Sequence, residues 1–152
     1  MDDMDMTATN AWGVPADHLP GVNALLLAPV LIWLVLRAIR LAVRFGVPGM
    51  RRLIHRYDAA PMPIRAATWL IVTSGLVHLA ILPHYRAEAP GTAALFGIDI
   101  ALLALAAGGV FLGRMWRIGA AALLVGNVLV YLGYVGSGQE AVDQLGIATR
   151  LV

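Results

Sequence analysis

The stretch Ile64–Tyr85, IRAATWLIVTSGLVHLAILPHY, leaves a chain few ways to fold: it is predominantly apolar, yet carries His78 inside it and His84 near its end. A helix needs about 20 predominantly apolar residues to cross a bilayer. In hydrocarbon the backbone must satisfy its own polar groups, so such a run crosses as a helix. An imidazole is tolerated there only where neighbouring helices solvate it or use it. The run therefore predicts a membrane span and makes His78 the first residue to explain.

Three further apolar stretches accompany it. The first runs from Val22 to about Phe45, interrupted by Pro29 and marked by Arg37, Arg40 and Arg44 at helical spacings of three and four. The third, Thr92–Gly113, contains Asp99 and is closed by Arg114, Trp116 and Arg117; the fourth runs from Ile118 to about Gly136. In this reading Pro83 ends the second span, and Tyr85–Gly91 is a short loop. Gly46–Pro63 holds Pro48, Pro61 and Pro63 with Arg51, Arg52, His55, Arg56 and Asp58. That composition suits a basic linker with a short interfacial helix between its prolines, and it cannot span. The expectation is an all-α integral membrane four-helix bundle at 22–136, flanked by polar tails at 1–21 and 137–152.

Composition supports this class. Hydrophobic residues make up 60% of the chain and charged ones 13%, with a mean hydropathy of +0.78, whereas soluble domains carry about 25% charged residues. With no cysteine there is no disulfide, no thiolate metal ligand and no nucleophilic thiol. A pI near 9.5 would suit nucleic acid, but the cations are all arginines clustered at span ends, where topology requires them, so no nucleic-acid partner is expected. Arg37, Arg40, Arg44, Arg51, Arg52, Arg56, Arg65, Arg114 and Arg117 all fall on one side of the four-span arrangement. Basic residues in short loops stay in the cytoplasm. Both termini are thus expected to be extracytoplasmic, in a bacterial cytoplasmic membrane. The opening MDDMDMTATNAWGVPADHLP lacks the basic and apolar regions of a cleavable signal, so the first span is expected to direct insertion itself.

Helix direction then fixes depth. At about 1.5 Å per residue, His78 and Asp99 lie roughly 9 and 10 Å below the same outer boundary. On the fourth span Asn127, Tyr131 and Tyr134 share a face by spacings of four and three. A polar layer of His78, Asp99, Asn127, Tyr131 and Tyr134 is thereby allowed in the outer leaflet, with Ser74 and Gly75 on the His78 side of their helix. Three readings of it stand open. One is a buried pair that fixes helix register. Another is a proton or ligand site. The third is a metal site from His78, His84 and Glu88 with Asp99, whose imidazole and carboxylate groups suit copper, zinc or iron.

Spacing weighs against the metal, because His78 and His84 share no face of a straight helix unless Pro83 turns the chain. Met1, Met4 and Met6 offer thioethers for Cu(I) in the tail. A b-type haem held between helices wants histidines on two spans, and His78 alone lies within one. Gly75 and the small pairs Ala104 with Gly108, Gly109 with Gly113, and Ala122 with Gly126 suit close helix approach. Trp69, Trp116 and Tyr85 match interfacial belts. No Gly-rich phosphate loop, GxSxG elbow or HExxH pattern occurs, so an enzyme is not expected.

The segments GLVHLAILPHYRAEAPGTAALFGIDIALLALAAG and GRMWRIGAAALLVGNVLVYLGYVGSG resemble small bacterial multi-pass membrane proteins of uncharacterised function, which share a His-Leu helix ending in Pro with a nearby His. They are also distantly similar to DoxX-like four-helix proteins, which some systems pair with redox partners. The resemblance covers about half the chain and rests on His78, Pro83, His84, Gly97 and Asn127. It implies a helical bundle with an accessory role and supplies no catalytic residue. The expected function is association, as an accessory subunit of a membrane complex or as a homo-oligomer, with lipids, other subunits or its own copies as partners. The alternative is a small transporter, or a copper- or zinc-handling protein, that uses the polar layer.

Overall fold

A computed structural model describes residues 18–88 and 90–137, and every regular element among them is helical. In order these are α1 (Leu19–Arg44), α2 (Met50–Ala59), α3 (Met62–Glu88), α4 (Pro90–Gly109) and α5 (Arg114–Gly136). Helices α1, α3, α4 and α5 are each long and apolar enough to cross a membrane, which makes this a multi-pass integral membrane protein. Helix α2 is amphipathic, with Ile54 and Tyr57 buried and arginines outward, and is the short helix expected between the prolines. The methionines at 1, 4 and 6 and most of both tails lie outside the described residues.

Several boundaries differ from the sequence reading, for identifiable reasons. Helix α1 starts at Leu19, because Pro20 falls in its first turn, where a missing N–H costs nothing. It also runs unbroken through Pro29. Likewise α3 passes Pro83 and continues to Glu88, which replaces most of the expected loop with helix. A proline removes one backbone bond, and in a membrane helix neighbouring groups or interfacial water re-satisfy the freed carbonyl, so the helix persists. Helix α4 then opens on Pro90, and α5 starts at Arg114, four residues before the expected Ile118.

The spans form a row. Helix α3 lies between α1 and α4, α5 packs on the far side of α4, and α1 and α5 make at most marginal contact. Ile71 of α3, Leu103, Ala106 and Ala107 of α4, Val110 just beyond α4, and Ala120 of α5 form one buried cluster. Val77 packs with Val22, Ala24 and Leu25 across α1 and α3, near the start of α1. Lipid tails are as apolar as leucine, so burial alone does not drive helices together here; close packing does, which favours alanine and glycine at the contacts.

The glycines divide accordingly. A Cβ at Gly109 would strike the Trp116 ring, so that glycine serves close approach, whereas one at Gly75 would meet Leu103 at an ordinary contact distance of 3.8 Å. Gly108 and Gly126 face open space instead. Gly113, expected in a packing pair, supplies the turn between α4 and α5 with a φ of +147° that side-chain-bearing residues rarely adopt. Arg117 Nε donates to the Val110 carbonyl at 3.1 Å, capping the end of α4 across that turn.

Helix α2 is pinned to the row by one aromatic residue. The Tyr57 hydroxyl accepts from Trp69 Nε1 at 2.7 Å, and its ring meets Phe111 edge-on at 5.9 Å. The Arg65 guanidinium lies 5.9 Å from the same ring. Asp58 adds a 3.0 Å ion pair to Arg40 of α1; both are half exposed, so the pair contributes at most about 1 kcal/mol.

An even number of crossings puts the two ends of the domain on one side, and the arginine distribution predicts which. Because the chain has no native cysteine, single cysteines can be read without background. His55→Cys on α2 should react with a membrane-impermeant maleimide only after permeabilisation, whereas cysteines at positions 10 and 140 should react in intact cells. Labelling of position 55 from outside would invert the orientation.

Candidate functional site

The polar layer is assembled from three neighbouring helices. His78 sits on the face of α3 that carries Ser74 one turn below, and only 1% of it is exposed. Asp99 of α4 brings Oδ2 to 2.9 Å from His78 Nδ1. The approach has ion-pair length but not the alignment of a hydrogen bond. The other carboxylate oxygen, Oδ1, accepts from Asn127 Nδ2 of α5 at 2.7 Å. Asp99 is thus the hub, with one oxygen toward each flanking helix.

Its position follows from the packing beneath. Ile71, Ala106 and Ala120 lie two turns from His78, Asp99 and Asn127 respectively, and these three belong to the apolar cluster of α3, α4 and α5. Contact among them sets the heights of α3, α4 and α5. The polar residues, at matching offsets on the same faces, must then meet. Tyr131, one turn above Asn127, is buried on the same face of α5. The side chain of Tyr134 lies outside the described residues, as does that of Glu88.

Two rings cover the layer on the side toward the end of α3. Phe96 lies 5.2 Å from the His78 ring, and Tyr85 lies 4.9 Å from Phe96. The His84 ring in turn stands edge-on to Tyr85 at 5.4 Å. The sequence reading overlooked Phe96 and assigned Tyr85 only to an interfacial belt. Spacing could have found both: Phe96 precedes Asp99 by three residues, and Tyr85 follows His78 by seven, so each shares a helix face with the residue it covers.

Chemically, the arrangement is a carboxylate between two donors. Asn127 can orient Asp99 but cannot exchange its charge, whereas His78 can carry a proton on the nitrogen facing Oδ2. The site can therefore hold three helices in register, and it can hold or pass a proton along the Nδ1 to Oδ2 contact. Among the described residues, no three His, Asp or Glu side chains come together as a metal-ligand set. Helix α3 stays helical through Pro83 and leaves the His84 ring against Tyr85, while the Glu88 side chain, the remaining member of the expected metal set, lies outside the described residues.

Comparison with known protein families, with curated proteins and with solved structures finds no match.

Proposed function

We propose that this membrane protein acts by association in the plane of the bilayer, as an accessory subunit of a larger membrane complex or in an assembly of its own copies. The carrying observation is the uncovered face of α4. Gly97, Ala101, Ala104 and Gly108 follow one another at spacings of four, three and four, and all are exposed. A Cβ at either glycine would meet nothing within 4 Å. Large aliphatic residues fill the adjacent exposed positions, Leu95, Ile98, Leu102 and Leu105, so the small residues form a shallow channel beside bulk. Such channels let a second helix backbone approach closely, which lipid does not require. The open row of spans supports the same reading, since neither α1 nor α5 closes over the other. In this role the His78, Asp99 and Asn127 contacts fix the heights of α3, α4 and α5, and hence the shape presented to a partner.

Gly97→Leu with Gly108→Leu tests this, because the open space at both positions lets the monomer fold unchanged. After purification in mild detergent, the native chain is expected to run as a multimer or with a copurifying chain, and the double variant as a monomer of unaltered helicity. A native chain that is monomeric and alone would overturn the proposal.

One observation favours a second reading, a small transporter that uses the polar layer: the rings of His84, Tyr85 and Phe96 lead from the end of α3 to His78. Proton uptake by proteoliposomes that is abolished by Asp99→Asn would support it.

A further inference from the structure

A pocket of about 540 Å³ opens along α2, lined by Gly49, Arg51, Arg52, Ile54, His55 and Asp58. Its polar lining is cationic in balance. Asp58, the one acid, is engaged by Arg40 from α1. Among the described residues no acidic group pairs with Arg51, Arg52 or Arg56. The charge at this end of the spans is larger still: besides Arg51, Arg52 and Arg56 of α2, the adjoining ends of α1, α3 and α5 carry Arg37, Arg40, Arg44, Arg65, Arg114 and Arg117, against Asp58. Gly49, whose φ is +82°, lines the pocket at the start of α2, whose first turn carries no side-chain cap.

Such an excess of positive charge needs an anion, and the shape of the lining selects its class. Guanidinium groups present planar forks that match phosphate oxygens in pairs. Arg51 and Arg52 both line the pocket and supply two forks, and His55 supplies a further nitrogen one turn on. Apolar surface accompanies the charge: Ile54 is part of the lining, and Phe45 and Val47, in the turn leading to Gly49, are 78% and 43% exposed. A free phosphate has no use for that surface, whereas the glycerol and acyl portions of a lipid do. Helix α2 also connects two spans on the same side, which holds the pocket at headgroup level.

We infer that Arg51, Arg52 and His55 of α2 form a binding site for the phosphate headgroup of an anionic phospholipid. The Arg40 to Asp58 ion pair and the Tyr57 anchor hold the pocket at the bilayer surface. This assignment does not depend on the association reading, since none of these residues lies on the uncovered face of α4.

The test uses the full chain in neutral-detergent micelles doped with either phosphatidylglycerol or phosphatidylcholine, with retained lipid counted by native mass spectrometry. Each basic residue near an anionic surface contributes about 1 kcal/mol, so the native chain should prefer phosphatidylglycerol by roughly tenfold or more. Arg51→Gln with Arg52→Gln should bring the two lipids to near-equal retention. Arg86→Gln, at the opposite end of α3, should leave the preference intact. Unchanged helicity and melting in phosphatidylcholine micelles confirm that the double variant is folded, as its exposed positions lead one to expect. Equal retention of both lipids by the native chain, or an undiminished preference in the double variant, overturns the inference. Loss of the preference on adding millimolar inorganic phosphate assigns the pocket to free phosphate and overturns the lipid.

Discussion

Asp99→Ala is expected to lower the stability of the helical core by about 2–4 kcal/mol, the largest effect of any substitution within the polar layer. Removing one partner of a buried charged contact typically costs about 3–5 kcal/mol, because the other is left uncompensated. Here two partners are stranded at once, His78 and Asn127. Polar contacts between membrane helices are often weaker, averaging below about 1 kcal/mol, since the separated helices find other partners. That places the expected value at the lower part of the range. His78→Ala alone should cost less, because Asp99 keeps its bond from Asn127. The double replacement of His78 and Asp99 by leucine should recover part of the loss. Thermal unfolding in mild detergent measures all three, and additive losses in the double variant would show that the 2.9 Å contact contributes nothing. Asp99→Asn separates structure from charge: it retains an acceptor for Asn127 and should cost under about 1.5 kcal/mol, in the range of one ordinary hydrogen bond.

Tyr57→Ala is expected to release α2 from the row at a cost of about 3–5 kcal/mol, the range for deleting a large buried aromatic ring. Three contacts vanish together: the acceptor for Trp69 Nε1, the edge-on packing with Phe111 and the ring beneath Arg65. Tyr57→Phe keeps the last two and should cost only about 1 kcal/mol. The effect is local, since α2 contributes nothing to the apolar cluster of α3, α4 and α5. Limited trypsin digestion reads it directly: in the Ala variant, cleavage at Arg51, Arg52 or Arg56 should accelerate while the spans stay protected. Equal cleavage rates in the two variants would show that α2 is held by something else.

The membrane fold was legible because its signal is long and redundant. Each span carries a run of apolar residues that no other structure accommodates, and the prolines at 48, 61 and 63 bracket α2. Span ends were less legible, and the errors share a cause. Pro20, Pro29, Pro83 and Pro90 look like breakers in sequence, yet two begin helices and two lie within them, because the cost of a missing N–H depends on what surrounds it. The meeting of His78, Asp99 and Asn127 could be anticipated from depth alone, once helix direction was assigned. Their coverage by Phe96 and Tyr85 could not be reached by depth; it required assigning faces on two helices together. The roles of the glycines were the hardest to read. Gly109, Gly113 and Gly126 look equivalent in a small-xxx-small pattern, and only the approach of Trp116 and the turn at Gly113 tell them apart.

The tight corner between α3 and α4 bears on how the protein is made. Helix α3 ends at Glu88 and α4 begins at Pro90, so the two emerge from the ribosome as a hairpin with almost no slack. Asp99 stands near the middle of α4, where a lone aspartate opposes insertion by about 2.5–3.5 kcal/mol. His78 is already on the preceding arm, at the matching height, before α5 and Asn127 have been synthesised. The corner therefore lets the carboxylate enter the bilayer against a waiting imidazole, and it makes α3 and α4, rather than either helix singly, the unit of insertion. Lengthening the corner with a flexible linker should leave the finished contacts possible while lowering the yield of correctly inserted α4. The same short connection that closes the fold would then govern its biogenesis.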